Sequence, residues 1–219
     1  MTVIVAGLIV SVATGCGHDA AVSNEPAIDR TCMYNNRALL EYNLLVQDRK
    51  TKPIEDSHML PYLDSNGNVI PFDAALQVDN PSKDPRLGND KLATVGVNYL
   101  NSQGFPGYQF NHVYMDLLGV VTDGRATDGR IYYTLAQQLR SGTDEFDRPA
   151  DRLPESEVLR PYLDERGALV GYDRAVTIAG GDQALATVFG QYFRDVHIPA
   201  DILVSTYQTT YDSCLKQKS

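Results

Sequence analysis

An eight-residue motif occurs twice in this chain. Leu60-Pro61-Tyr62-Leu63-Asp64-Ser65-Asn66-Gly67 returns as Arg160-Pro161-Tyr162-Leu163-Asp164-Glu165-Arg166-Gly167. Around it Glu55, Asp73 and Ala75 match Glu155, Asp173 and Ala175, and downstream Leu92-Ala93-Thr94-Val95 matches Leu185-Ala186-Thr187-Val188. Self-similarity at so long a period is the mark of a duplicated supersecondary unit, which buries its apolar face against its neighbour. The expected architecture is mainly α with short extended or hairpin elements, in two tandem repeats packed as one pseudo-twofold globular domain. Repeat 1 spans 31–121, a joining segment 122–130, and repeat 2 131–219. Residues 77–87, QVDNPSKDPRL, have no full counterpart and read as a loop insertion.

Within each unit, hydrophobic spacing predicts a first helix over 37–48, with Leu40, Leu44 and Leu45 inward, and its counterpart over 131–140, with Tyr132, Leu135 and Leu139 inward. Asp64-Ser65-Asn66-Gly67 and Asp164-Glu165-Arg166-Gly167 read as turns with glycine where φ is positive. Asn89 and Asp182 are candidate N-caps of a second helix whose inward stripe is Leu92, Val95 and Tyr99, or Leu185, Val188 and Tyr192. Pro106 and Pro199 open a third helix at its first turn. In copy 1 this third segment, 108–121, fits a helix less cleanly than in copy 2.

Residues 2–12 are apolar and uncharged, too short a run to span a bilayer as a mature helix and the right length for the h-region of a signal peptide. Ala13-Thr14-Gly15-Cys16 follows, and it resembles the lipobox of bacterial lipoproteins: an aliphatic residue, two small residues and the cysteine that is acylated. Ala13 stands where leucine is usual, and no Lys or Arg precedes the apolar run. The resemblance implies a signal peptide over 1–15, lipidation of Cys16 with palmitate-like chains, a lipidated tether over 16–30 and a membrane anchor in the bacterial cell envelope. Gly17 after the cysteine, rather than Asp, favours the outer membrane of a Gram-negative cell. No named family is recognised for the folded domain. In an exported chain the two remaining cysteines, Cys32 and Cys214, are expected to form a disulfide.

The net charge of −9, with no cluster of Lys and Arg, opposes binding to nucleic acid or to an anionic lipid surface. Nucleophile-elbow, phosphate-loop, dinucleotide and zinc-protease motifs are absent from the sequence. His18, His58, His112 and His197 are scattered, which suits surface or capping roles, and no metal site is expected. Asp64 to Asn68 matches the opening of a calcium loop, but Val69 and Ala75 stand where the loop needs Gly and Glu.

Asp64, Asp164, Asp73 and Asp173 are the catalytic candidates, because two carboxylates brought together across a pseudo-twofold would share a proton and divide acid and base roles. The competing reading gives Asp64 and Asp164 to turns and Asp73 and Asp173 to helix starts. Tyrosines repeated between copies, Tyr62/Tyr162, Tyr99/Tyr192 and Tyr114/Tyr207, are expected in the core, whereas Tyr108, Tyr132 and Tyr133 are expected at a surface. The leading functional expectation is an envelope-anchored lipoprotein acting as a non-enzymatic binding or interaction module, without a cofactor, for an envelope protein or other envelope component. The alternatives are a hydrolase using the paired aspartates, or a small-ligand carrier with a pocket between the repeats near Tyr99 and Tyr192.

Overall fold

Asp29 starts the first helix: its carboxylate accepts from the amides of Thr31 at 3.0 Å and Cys32 at 3.1 Å, which have no partner inside the helix. A computed structural model of the chain describes residues 28–120, 125–141, 153–154 and 156–215. The expected signal peptide, Cys16 and most of the tether lie outside the described residues.

The order is α1 (Arg30–Asn35), α2 (Ala38–Thr51), a 3-10 turn (Leu60–Tyr62), α3 (Phe72–Ala75), α4 (Pro85–Ser102) and α5 (Gly107–Val120). It continues with α6 (Asp128–Ser141), a second 3-10 turn (Arg160–Tyr162), α7 (Tyr172–Ala179), α8 (Asp182–Asp195) and α9 (Ala200–Ser213). The fold is mainly helical, and extended structure among the described residues is confined to isolated bridges: Ile28 with Leu215, Leu63 with Val69, and Leu163 with Leu169. No helix among the described residues is long and apolar enough to cross a membrane.

The two Pro-Tyr-Leu-Asp segments adopt the same local structure. Each tyrosine carbonyl accepts an amide at 2.9 Å, from Ile70 in one segment and Val170 in the other. Each aspartate carbonyl accepts the amide of a glycine at 2.9 Å. Those glycines, Gly67 and Gly167, lie at φ 73° and 75°, a region costly for residues with a Cβ. A side chain from the preceding long helix secures each turn: Arg49 Nε donates to the Gly67 carbonyl, and Arg140 Nε to that of Gly167.

Helices α2 and α4 pack along one another, as do α6 and α8, while α5 lies against α6 and α9 against α2. One continuous apolar cluster runs through all of them, from Leu40, Leu44 and Leu45 in α2 to Leu185, Phe189 and Phe193 in α8. All six repeated tyrosines are buried in it. Cys32 and Cys214 are joined by a disulfide with Cα atoms 5.5 Å apart, tying α1 to the end of α9.

Several expectations need correction. Helix α4 starts at Pro85, capped by Asp84, whose carboxylate accepts from the Arg86 amide at 3.0 Å. Asn89 is therefore not an N-cap: it is wholly buried inside α4, and its side-chain amide donates to the Asn35 carbonyl. A proline at the first helical position and an Asp before it form the stronger start signal, so the loop expected over 77–87 ends at Asp84. Asp182 is the first residue of α8 rather than its cap, and its carboxylate accepts from the hydroxyls of Thr127 and Tyr172. Tyr132 and Tyr133 are buried, not superficial: Tyr132 donates to Asp201, and Tyr133 donates to the Val170 carbonyl at 2.6 Å. Residues 28–30, assigned to the tether, belong to the fold, and 128–130 of the joining segment are helical. The third segment of copy 1 is a full helix, α5.

Candidate functional site

Helices α4 and α5 diverge to leave an open cleft of about 280 Å³. Two adjacent ridges of α4 face it, Ala93 with Val97 and Thr94 with Asn98, each pair one turn apart. From α5 come Tyr108, Asn111, His112 and Met115, again on one helical face, and Arg37 closes the end from the start of α2. The Tyr108 hydroxyl crosses the cleft and donates to Asn98 Oδ1 at 2.8 Å. Ala93, Val97 and Met115 supply an apolar floor, while amides, a phenol, an imidazole and a guanidinium supply polar groups. No carboxylate is among the lining residues, although the chain as a whole carries −9.

The cleft has the composition of a binding site, an apolar surface with a few convergent polar groups. Its hydroxyl on α4, Thr94 Oγ1, donates back to the Asp90 carbonyl at 2.8 Å, as helical threonines do.

Arg37 links this cleft to the core. Its Nη2 is 2.8 Å from Asp90 Oδ1, and its guanidinium lies 5.1 Å from the centre of the Tyr34 ring. The Tyr34 hydroxyl donates to the same Asp90 oxygen at 3.0 Å, which raises the phenol's pKa. One turn along α2 is Glu41, with no exposed surface at all. Neither carboxyl oxygen has a hydrogen-bond partner among the described residues, and the same holds for Arg37 Nε. Burial pushes the Glu41 carboxyl up to about 8, against the smaller opposing pull of its own backbone amide and of Arg37. Glu41 is therefore mostly protonated at neutral pH. Its stem is pressed against Gly96 of α4, where an added Cβ would lie 2.9 Å from Glu41 Cβ.

The four candidate aspartates are placed differently. Asp64 Oδ1 accepts from the amides of Asn66 at 2.8 Å and Asn68 at 2.9 Å, and Asp164 Oδ1 accepts from those of Arg166 and Ala168, both at 2.9 Å. The Asn68 amide first, with that of Asn66, holds the Asp64 carboxyl below the usual range. These bonds occupy both side chains within their own turns. Asp73 and Asp173 stand in the first turns of α3 and α7, where a negative charge suits the free amides. No hydrogen bond joins the members of either pair among the described residues. Tyr99 borders a hollow of about 190 Å³ with Asp56, His58, Val95 and Asn98. The Tyr99 hydroxyl donates to Asp48 at 2.8 Å, whereas that of Tyr192 donates to the Pro154 carbonyl at 2.8 Å.

Asn98, Asn111 and Glu41 were not singled out from the sequence. A trace exists: Thr94 and Asn98, and Asn111 and Met115, are i, i+4 pairs on helices that adjoin in sequence. No protein-family model matches the chain, and no curated protein or solved structure matches it.

Proposed function

We propose that this chain is an envelope-anchored lipoprotein whose folded domain is a non-enzymatic binding module, with the α4–α5 cleft as its binding surface. The observation that carries the proposal is the cleft's lining: Asn98, Tyr108, Asn111, His112 and Arg37 over an apolar floor, with no carboxylate and no nucleophile–base pair. Such a surface suits a neutral or anionic polar partner. The turn-bound carboxylates of Asp64 and Asp164 favour binding over hydrolysis. The lipobox-like Ala13-Thr14-Gly15-Cys16 supports anchoring. The recurrence of a long helix, a Pro-Tyr-Leu-Asp turn and three further helices supports a duplicated origin with the copies packed about a pseudo-twofold.

Two experiments test the proposal. Labelled palmitate fed to cells making the chain is expected at Cys16 and absent from C16A, and an unlabelled wild-type chain would remove the anchor. A photo-crosslinker placed at Asn111 is expected to give discrete adducts in native envelopes, and one at the exposed Thr187 of α8 is not. Indistinguishable adducts from the two positions would remove the cleft.

A further inference from the structure

Arg37 has two faces. Outward, its Nη2 bonds Asp90 of α4, which is half-exposed and also holds the Tyr34 hydroxyl. Inward, its Nε is buried and has no acceptor among the described residues. Four residues along the same helix, on the same face, the Glu41 carboxyl is buried and has no hydrogen-bond partner from another side chain among the described residues. Among the described residues, a donor without an acceptor and a carboxyl without a side-chain donor thus stand one helical turn apart. Buried polar groups are seldom left in this condition, so the pair calls for an explanation.

We propose that Arg37, which lines the cleft, is a two-position guanidinium, shared between Asp90 on α4 and Glu41 in the core, and that loss of the Glu41 proton draws it inward and reshapes the cleft. No covalent bond changes. The carboxyl proton passes to solvent, the guanidinium exchanges an outer carboxylate for an inner one, and Asp90 keeps the Tyr34 hydroxyl.

The surroundings of Glu41 suit such an exchange. From its own helix Arg37 is the cation acting on it. From α4 the backbone at Gly96 lies against its stem, and Asp90 is the competing carboxylate. From α5 comes Tyr114, whose hydroxyl donates to the Met33 carbonyl at 3.0 Å and whose own ionisation Glu41 opposes. From α9 come Tyr207, in edge contact with Tyr114, and Thr210, which interacts with the Tyr114 hydroxyl. These phenols are pushed up by burial, Tyr207 to about 12, so they stay neutral while Glu41 titrates. The effect on the cleft rests on its being the binding surface; the Arg37 exchange does not.

The test is a pH titration of the full chain by NMR, following the Glu41 carboxyl carbon and the Arg37 Nε–Hε pair together. Both signals are expected to move with one midpoint near 8. E41Q is expected to abolish the Arg37 transition. D90N, which removes the outer acceptor, is expected to lower the shared midpoint by about one unit or more, and this surface change decides the matter if E41Q does not fold. A Glu41 midpoint near 4.5, or an Arg37 Nε signal that stays flat through the Glu41 transition, overturns the proposal. Crosslinking from Asn111 repeated at pH 6 and pH 9 separates the two claims. Adduct yield that ignores pH while the NMR transition persists counts against the cleft as the binding surface and leaves the exchange standing.

Discussion

Cys32 and Cys214 are bonded to one another across 182 residues of chain. In the chain-entropy account, closing a loop of this length restricts the unfolded ensemble and stabilises the fold by on the order of 5 kcal/mol, less any residual structure in the reduced unfolded chain. Reduction, or the C32A/C214A pair, is expected to lower the denaturant midpoint markedly while preserving helical circular dichroism in the absence of denaturant. An unchanged midpoint on reduction would show that the bridge contributes nothing.

The buried Glu41 carboxyl makes stability depend on pH with a definite sign. Folding raises its pKa from 4.5 to about 8, so between these values the folded chain holds a proton that the unfolded chain has lost. The stabilising contribution is complete below pH 4.5 and is lost as pH rises through 8, an effect of a few kcal/mol. Urea midpoints at pH 5, 7 and 9 are expected to fall in that order, and E41Q to flatten the decline and exceed the wild type at pH 9. A wild-type midpoint that rises from pH 5 to 9 with no change in E41Q would contradict the burial of a protonated carboxyl.

Gly96 and Gly119 give opposite expectations for the same substitution. At Gly96 an alanine Cβ would meet Glu41 Cβ at 2.9 Å and Leu45 Cδ1 at 3.4 Å, so α2 and α4 must separate. Overpacking of this kind costs about 1–3 kcal/mol, more than the gain in helix propensity of about 1 kcal/mol. At Gly119, in α5, nothing among the described residues lies within 4 Å, and the propensity gain stands alone at about 0.5–1 kcal/mol. Thermal melts of G96A and G119A are expected to shift in opposite directions.

Arg49 and Arg140 each donate to a turn carbonyl, at Gly67 and Gly167. R49A and R140A are each expected to cost about 1–2 kcal/mol through the lost charge-assisted bond. Amide exchange should quicken selectively in the affected turn, at Gly67 in R49A and at Gly167 in R140A. Quickening at both turns in either variant would indicate global loosening instead.

Much of the helical order was legible because its signals are local. Gly67 and Gly167 marked turns that need positive φ, and the repeated tyrosines marked the core. Cys32 and Cys214 were the pair left over for a disulfide. What escaped depends on the angle between helices. Glu41 follows Leu40 on an apolar stripe, and only the approach of Gly96 decides that it lies inside. Arg49 fell one residue beyond the helix end drawn at Asp48, so its counterpart Arg140 had nothing to match. Val95 and Val188, placed in the buried stripe, pack against the core but are only partly buried, since the stripe tilts toward the alanines beside Leu92 and Leu185. The cleft joins Asn98 to Tyr108, ten residues apart in sequence and on different helices, and no periodicity within either helix predicts that meeting.

The bridge between Ile28 and Leu215 and the neighbouring disulfide put both ends of the folded chain at one spot. A pull applied through the segment before Ile28 would first meet the short backbone bridge and α1, and then the covalent link between Cys32 and Cys214. If the resisting force is also applied near Leu215, the load path closes through that link and bypasses the helices between. The cleft would then keep its shape under tension that would unravel an uncrosslinked bundle.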